Sequence, residues 1–475
     1  MAVPQINYEP YKTIENQTYG HVQILVKKGP FVDVLYRNNY TTINFNNCSF
    51  TKVEIVAEED VNFKDISVHF MKCQIDEITV EQITATNILV LFSGCSVNGR
   101  ISSPLIKSVQ CNNCLTRGLF LEGVESCSIT YSPDNLDQEF WNTQIDAGVL
   151  NTEGNYYKMR YALTDCKVIN ISSRFDLKEK NLATIISLSY KDDGEDKKAT
   201  LSDLHLYSLS IDGKPEGTIS IENVAVQDMF LRDLSPKGSL TFFRIRPAKF
   251  NEQPNKIEIH RCNLENTWFD NVDLKSFLLS FYRTRFVKSI FTSCTLPSNY
   301  VTFENLRIME NIHYTESESD SFHKDRYEIF IQLKKNFEAL GNYYEAQKLQ
   351  AMAHEELKRI DSISWWDKRI LKINSRSNQH GLSIAWPLFW FGVCSITLYL
   401  FYLWSMGRLY CGGEYDPQLF GYYFQFIDVT HRLDFLETDR SKISGLAMAI
   451  DFFNKIILGF LIYQFIAAFR KYGKV

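Results

Sequence analysis

One stretch near the end of the chain restricts the fold more than any other. Residues 382–404 (LSIAWPLFWFGVCSITLYLFYLW) contain no Asp, Glu, Lys or Arg, and the stretch free of these residues includes all of residues 377–406. A helix needs about 20 consecutive apolar residues to cross the hydrocarbon core of a bilayer. A helix that is apolar on every face otherwise has to be buried inside a large protein core. We therefore predict a first transmembrane helix at residues 382–404.

A second, weaker span is predicted at residues 445–469. Its uncharged part, residues 456–469, corresponds to only about 21 Å of helix. That length is short for a bilayer, so the helix has to begin upstream and to include Asp451 and Lys455. The i, i+4 spacing of these two residues favours an ion pair. Both are candidate pore or inter-helix residues, because charged side chains inside a span usually face protein or water. In the alternative arrangement, Lys455 extends to the outer interface and Asp451 lies in water.

Two further polar groups of the second span, Tyr463 and Gln464, belong to the same set of candidates. Polar side chains in a span form hydrogen bonds between helices or line a water-filled path. The first span has little polar content. We therefore expect it to hold the protein in the membrane, and we expect the second span to supply any conduction path.

Aromatic and basic residues flank the two predicted spans. Tryptophan suits the headgroup level of a bilayer, and Lys and Arg mark its cytoplasmic side. The predicted membrane-interface anchors are Trp365, Trp366, Lys368, Arg369, Arg470 and Lys471. The segment between the spans, residues 405–444, mixes charges of both signs. The positive-inside rule therefore predicts a multi-pass inner-membrane protein with cytoplasmic termini, an extracytosolic loop at 405–444 and a basic cytosolic tail at 470–475. The start of the chain lacks the basic and apolar regions of a signal peptide, which agrees with a cytosolic N-terminal domain.

The first 310 residues carry a five-residue periodicity. The blocks INFNN, CSFTK and VEIVA begin at Ile43, and similar blocks recur from Ile219 (ISIEN, VAVQD, MFLRD) and from Ile257 (IEIHR, CNLEN, TWFDN, VDLKS, FLLSF). The first and third residues of a block are usually apolar, and the others are mostly polar or small. Each block therefore predicts a very short strand and a corner. Four blocks would close a coil of about 20 residues, and stacked coils would bury a continuous apolar column.

This pattern resembles the pentapeptide-repeat family, whose fold is a right-handed, roughly square β-helix. CNLEN and VDLKS are nearest to the family's unit of a small residue, Asn or Asp, Leu and two variable residues. The first inward position is often Ile, Val or Met here, where the family prefers a small residue. We therefore expect an irregular, mainly β solenoid over residues 1–310, with an insertion near 130–200 where WNTQIDAG and KDDGEDKK break the period.

Helical periodicity replaces the five-residue period in residues 321–376, which predict a helical hairpin and a juxtamembrane segment. Gly341 ends the first helix, and Asn342 with Glu345 forms a capping box for the second. The two spans that follow resemble the two-helix ion-channel plan, which some bacterial pentapeptide-repeat proteins carry as a C-terminal module. No TVGYG-like filter is present, so selectivity for potassium is not expected.

Composition argues against several functions. The net charge of −5 offers no basic face for nucleic acid, so no nucleic-acid partner is expected. We interpret the 11 cysteines as reduced, small inward residues, because the pair Cys111 and Cys114 has no second pair or histidine cluster at zinc spacing. His354 begins HEE, which lacks the second His of a zinc-protease motif. We predict no enzymatic activity, no cofactor and no metal.

Taken together, these features predict a membrane protein that oligomerises through its spans and forms a pore or perturbs the bilayer. The β-helix would act as the sensing or assembly domain. Several copies are required because one hairpin of helices cannot enclose water. A role in bacterial antiviral defence is a further hypothesis, which rests only on the pairing of a sensor-like domain with a membrane effector. The alternative is a non-conducting membrane scaffold whose β-helix binds a protein partner. A third hypothesis, a DNA-mimicking solenoid, is disfavoured by the weak negative charge and the membrane tether.

Overall fold

The computed structural model describes residues 3–7, 9, 12–26, 41–57, 65–80, 87–102, 106–146, 150–153, 155–286, 288–295, 316–409, 417–432, 436 and 442–469. The chain divides into two units, Met1–Asn311 and Ile312–Val475. The first unit consists mainly of strands and the second of helices. Parts of the predicted loop at 405–444 lie outside the described residues, as does the predicted tail at 470–475 with Arg470 and Lys471.

The strands of the first unit are short and numerous. In chain order they are β1 (Gln5–Asn7), β2 (Thr13–Glu15), β3 (Thr18–Val26), β4 (Thr41–Asn46), β5 (Ser49–Ala57), β6 (Asp65–Met71), β7 (Gln74–Val80), β8 (Asn87–Ser93), β9 (Ser96–Ser102), β10 (Ile106–Asn112), β11 (Leu119–Glu122), β12 (Ser126–Tyr131), β13 (Asn151–Glu153), β14 (Tyr156–Thr164), β15 (Val168–Ser173), β16 (Leu182–Tyr190), β17 (Lys198–Ser202), β18 (His205–Gly213), β19 (Thr218–Glu222), β20 (Ala225–Arg232), β21 (Ser239–Phe243), β22 (Arg246–Pro247), β23 (Lys256–His260), β24 (Thr267–Asp270), β25 (Leu278–Tyr282) and β26 (Ile290–Thr292).

These strands form two parallel sheets, and the chain passes from one to the other and back. One sheet has the order β1-β3-β5-β7-β9-β11-β14-β16-β18-β20-β23-β25, with β13 and β22 beside this path. The other has the order β2-β4-β6-β8-β10-β12-β15-β17-β19-β21-β24-β26. The pairing is parallel except between β13 and β14. The first unit is therefore a solenoid-like parallel β fold, as the periodicity predicts.

Coil length and burial follow the five-residue pattern. Lys198 pairs with Thr218 and Thr218 with Ser239, so these coils advance by 20 (218 − 198) and 21 (239 − 218) residues. The first and third residues of INFNN are Ile43 and Phe45, and both are buried. Corresponding positions are buried in CSFTK, VEIVA, ISIEN, VAVQD, MFLRD and IEIHR. The predicted inward positions are confirmed in these blocks.

Identical residue types stack from coil to coil in the core. Phe70 lies between Phe45 and Phe92, with ring centroids 5.2 and 5.4 Å away. Buried cysteines occupy similar positions: the Cys73 thiol donates a hydrogen bond to the Phe45 carbonyl at 3.2 Å. Burial raises the pKa of the Cys262 thiol to about 12, so this thiol is a protonated core residue.

Two details differ from the coil of four separate five-residue blocks that the periodicity predicts. The blocks CSFTK and VEIVA merge into one strand, β5, because β3 and β5 stay paired through the junction, His21 with Lys52 and Val22 with Val53. The described strands consequently form two sheets and not four short sides. The interruption near 130–200 is also shorter than predicted. It contains α1 (Gln138–Asp146) and β13, and β14 to β17 then continue both sheets.

The second unit contains six further described helices. They are α2 (Glu316–Ala339), α3 (Tyr343–Arg359), α4 (Trp365–Asn378), α5 (Ala385–Ser405), α6 (Gln418–Ile427) and α7 (Gly445–Phe469). α2 and α3 pack together as a hairpin. Asn342 caps α3 by accepting a hydrogen bond from the Glu345 N–H at 3.2 Å. The Glu356 carboxylate joins the two helices through His323 at 2.7 Å and Arg326 at 3.3 Å.

Two of the described helices, α5 and α7, are long and apolar enough to cross a membrane. α5 begins and ends slightly later than the predicted span at 382–404, whereas α7 has the predicted bounds of 445–469. Leu382 and Ser383 lie before α5, in the segment that follows α4. The length and apolar composition of both helices are as the sequence predicts.

Candidate functional site in the apolar helices

α5 and α7 pack against each other with polar groups inside and apolar groups outside. Ser395, Asp451, Asn454 and Gln464 are buried. Among the most exposed side chains of the two helices are Phe389, Phe401, Trp404, Phe452, Phe453 and Ile466. Water-soluble proteins normally bury their large apolar groups. An exposed apolar surface of this kind indicates contact with lipid or with another protein surface.

The short helix α6 lies against α5 and α7, although the sequence places it inside the predicted extracytosolic loop. The Tyr399 hydroxyl donates a hydrogen bond to the Leu419 carbonyl at 2.6 Å. The Asn454 side chain donates to the Phe426 carbonyl at 2.9 Å, which satisfies an end of α6 that has no intrahelical partner. α6 is therefore held at both ends by the two apolar helices.

The depth of α6 follows from its contact with Ser395. The hydroxyl groups of Tyr423 and Ser395 lie 2.8 Å apart. Ser395 is the eleventh of the 21 residues of α5 (395 − 385 + 1), so about 15 Å of helix extends on either side of it. The Tyr423 side chain of α6 consequently reaches the middle of α5. The sequence signal that could have revealed it is the charge-free segment 417–427 inside an otherwise charged loop.

A charged cluster lies where the chain leaves α6 and meets α7. The Asp451 carboxylate, in a residue 1% exposed, contacts His431 Nε2 at 2.6 Å and Lys455 Nζ at 3.0 Å. Lys455 Nζ also donates to the His431 carbonyl at 3.0 Å. The predicted i, i+4 pair is therefore formed. The alternative, in which Asp451 lies in water, does not describe this arrangement. Sequence reasoning missed His431.

Gln464 lies in a second polar contact, near the other end of α7. Its side-chain N–H donates to Asn374 Oδ1 at 2.9 Å, and its side-chain oxygen accepts a hydrogen bond from Asn378. Both asparagines belong to α4, so this pair of contacts joins α4 to α7. Tyr463, by contrast, is on the exposed side of α7. Of the four candidate residues, Asp451, Lys455 and Gln464 contact other residues of the same chain, whereas Tyr463 faces outwards.

The predicted anchors Trp365, Trp366, Lys368 and Arg369 lie in the first turns of α4, in which most side chains are exposed. Trp365 and Trp366 are exposed, as are Ile370 and Ile373 further along. The Arg369 guanidinium lies 4.7 Å from the centre of the Trp365 indole ring. Lys368 forms a surface pair with Asp361 at 3.4 Å. An apolar face bordered by basic groups is typical of a helix at a membrane interface.

Within the described ranges, no group of three or more His, Cys, Asp or Glu side chains is placed to hold a metal ion. An open groove on the described surface of the solenoid is lined by Arg100, Phe120, Leu121, Glu122, Ala162 and Thr164. Arg100 and Glu122 form an ion pair across this groove.

The fold and the helical site define a class of protein: a parallel β-solenoid followed by helices, two of them long and apolar enough to cross a membrane. Comparison with protein families, curated proteins and solved structures found none to which the chain is similar.

Proposed function

We propose that the protein is a membrane-anchored solenoid that assembles into homo-oligomers and forms a pore, with the solenoid as a cytosolic sensing or assembly domain. The observation that carries this proposal is α6. Its 10 residues make about 15 Å of helix, which is too short to cross a bilayer. Its Tyr423 side chain nevertheless reaches the middle of α5, and irregular backbone follows α6 at 428–432.

Irregular backbone at membrane depth is tolerated only where it is buried in protein or lines a water-filled cavity. One face of α6 is covered by α5 and α7, but Phe420 and Phe424 on its other face are 65% and 55% exposed. Neighbouring copies of the chain would cover this face and bring the segments after α6 around a common axis. Re-entrant loops and selectivity filters are examples of such backbone at membrane depth.

The membrane assignment rests on the polarity of the helical unit. Ser395, Asp451, Asn454 and Gln464 are buried, large apolar side chains of α5 and α7 face outwards, and α4 presents tryptophans beside basic residues. We propose an inner-membrane location with cytoplasmic termini on the distribution of Lys and Arg around the spans. Membership of the pentapeptide-repeat family and a role in antiviral defence remain predictions.

The proposal is tested with the full-length protein in liposomes and in native-like nanodiscs. We expect oligomers in the nanodiscs and ion flux across the liposome membrane, with flux changed by Phe424→Ala on the uncovered face of α6. Phe389→Ala, on the exposed face of α5, is the control and should leave flux near the wild-type value. A monomeric protein that passes no current under changes of voltage, pH or ionic strength would exclude a pore.

The contacts that polar side chains of α7 make inside the helical unit favour a second candidate, a non-conducting membrane scaffold whose solenoid binds a protein partner. Asp451, Asn454 and Gln464 all bind within one subunit, which suits an anchor as well as a closed pore. Replacing residues 385–469 by an unrelated two-span anchor distinguishes the two. A scaffold would keep its cellular function after this replacement, and a pore would lose it.

A further inference from the structure

The turn between α4 and α5 has an unusual backbone. Gln379, His380 and Gly381 have φ angles of 52°, 56° and 89°. Left-handed backbone is disfavoured for residues that carry a Cβ, and two of these three do. Such strain persists only where surrounding contacts hold the backbone in place, and it concentrates at functional and switch segments. The contacts that hold this turn come from two different sides.

The first set of contacts comes from α3. The Gln347 side chain donates a hydrogen bond to the His380 carbonyl at 2.8 Å. Glu355 Oε1 lies 3.0 Å from His380 Nε2 and accepts a hydrogen bond from the Ser375 hydroxyl at the same distance. A Cβ added at Gly381 would lie 2.6 Å from Gln347 Nε2. The turn and α3 therefore fit each other closely.

The second set of contacts comes from α7. Asn378 donates from its side-chain nitrogen to the Gln464 side-chain oxygen and, at 3.3 Å, to the Gln464 carbonyl. Asn378 Oδ1 in turn accepts from the Gly381 N–H at 2.9 Å. Asn378 and Gln464 are both buried. The same asparagine thus binds the turn and the second apolar helix.

We propose that residues 378–381 couple the cytosolic hairpin to α7, so that a movement of Gln347 and Glu355 on α3 changes how Gln464 is held. Apolar side chains can slide past one another with little change in energy, whereas buried hydrogen bonds are either made or left without a partner. The hydrogen bonds that join α3, residues 378–381 and α7 therefore have discrete arrangements, which a switch requires. The coupling itself is a property of the helical unit. Its role in gating rests on the proposed function.

The test is hydrogen–deuterium exchange of the full-length protein in nanodiscs, read at peptides covering residues 458–469. Glu355→Gln weakens the contact between residue 355 and His380 and changes no residue of α7. We expect it to raise exchange in these peptides several-fold. We expect Gln464→Leu to raise exchange as well. In the double variant, the fold-increase in exchange should be smaller than the product of the two single-variant fold-increases. Lys348→Gln, on α3 but bound to Glu345, is the control and should have no effect.

A second pair controls for general loosening. Asn454→Leu perturbs α7 at a site remote from the turn, so its effect should combine with that of Glu355→Gln as independent factors. The coupling is excluded if Glu355→Gln leaves exchange in residues 458–469 unchanged. It is also excluded if the fold-increase of the double variant with Gln464→Leu equals the product of the two single-variant fold-increases. Ion flux is measured on the same variants. If the exchange effects are coupled but no variant passes ions, the pore is refuted and the coupling is supported. If ions pass but the exchange effects are independent, the pore is supported and the coupling is refuted.

Discussion

The hydroxyl group of Tyr423 lies 2.8 Å from that of Ser395, halfway along the first apolar helix. Tyr423 belongs to the segment between the two spans, for which the charge pattern predicts an extracytosolic loop. The contact means that part of this segment enters the layer of the two apolar helices. In the proposed pore this helix would help to form the constriction, whereas in the proposed scaffold it would only pack against the two apolar helices.

The first prediction concerns Ser395, which is fully buried. Ser395→Leu removes the hydrogen bond to Tyr423 and overfills the space beside α6, at a cost of about 1–3 kcal/mol. We expect a lower unfolding temperature in detergent and faster amide exchange in residues 418–427. Ile396→Leu, at the neighbouring exposed position, is the matched control. Equal unfolding temperatures for the two variants would contradict the observed position of α6.

The second prediction concerns the ion pair of Asp451 and Lys455. Asp451→Leu leaves the Lys455 ammonium without its carboxylate, and such losses typically cost about 3–5 kcal/mol. The double variant Asp451→Leu/Lys455→Met removes both charges and should be more stable than Asp451→Leu alone. Thermal unfolding of the detergent-solubilised protein measures both. If the two substitutions destabilise additively, the pair makes no net contribution.

The third prediction concerns pH and the buried His354. Burial, assisted by the neighbouring His380 and Lys334, lowers the pKa of His354 from 6.5 to about 4. The unfolded chain therefore binds this proton before the folded chain does, so stability falls as pH decreases from about 6.5 to 4. His354→Leu should flatten the dependence of the unfolding temperature on pH in this window. An unchanged slope would show that His354 is not its source.

A nearby carboxylate titrates in a lower window. Burial raises the pKa of Glu355, but hydrogen bonds from Lys358, His380 and Ser375 outweigh this effect and lower it to about 2. Its contribution to stability is therefore present above about pH 4.5 and is lost as pH falls toward 2. Glu355→Gln should leave the slope between pH 6.5 and 4.5 unchanged, which makes it the control for His354→Leu.

The fourth prediction concerns the core of the solenoid. Phe70 is fully buried between Phe45 and Phe92, whereas the next residue, Met71, is 37% exposed. Phe70→Ala should cost about 3–5 kcal/mol of stability, and Met71→Ala only a few tenths. Urea unfolding of the full-length protein, followed by the β-sheet circular dichroism signal, measures the difference. Similar losses in both variants would contradict the inward and outward assignment of these neighbours.

The fifth prediction concerns the depth of α4. An environment-sensitive label at Ile370→Cys should be quenched by lipids that carry a nitroxide near the headgroup, because this position is on the exposed apolar face. The label at Asp361→Cys, where the side chain is 87% exposed, should be quenched far less. Cys294 and Cys394 are only partly buried, so they and Cys411 are first replaced by Ser. Equal quenching at both positions would exclude an interfacial α4.

Local patterns predicted much of this architecture. The inward positions of the solenoid follow from alternation within single blocks, as at Ile43 and Phe45. The bounds of α7 follow from the minimum length of a span, and the pair of Asp451 and Lys455 follows from helical spacing. Each of these properties depends on residues that are close in sequence, so no knowledge of the tertiary structure was needed.

The tertiary structure alone decided how distant residues meet. Asn378 and Gln464 are 86 residues apart, and Ser395 and Tyr423 are 28 apart. No periodicity relates such positions, because their contacts depend on how the helices pack and not on the spacing within one helix. The same holds for the merging of two blocks into β5, which depends on pairing with β3. The sequence by itself determined which segments form the solenoid and the apolar helices, whereas packing decided which polar groups hold those helices together.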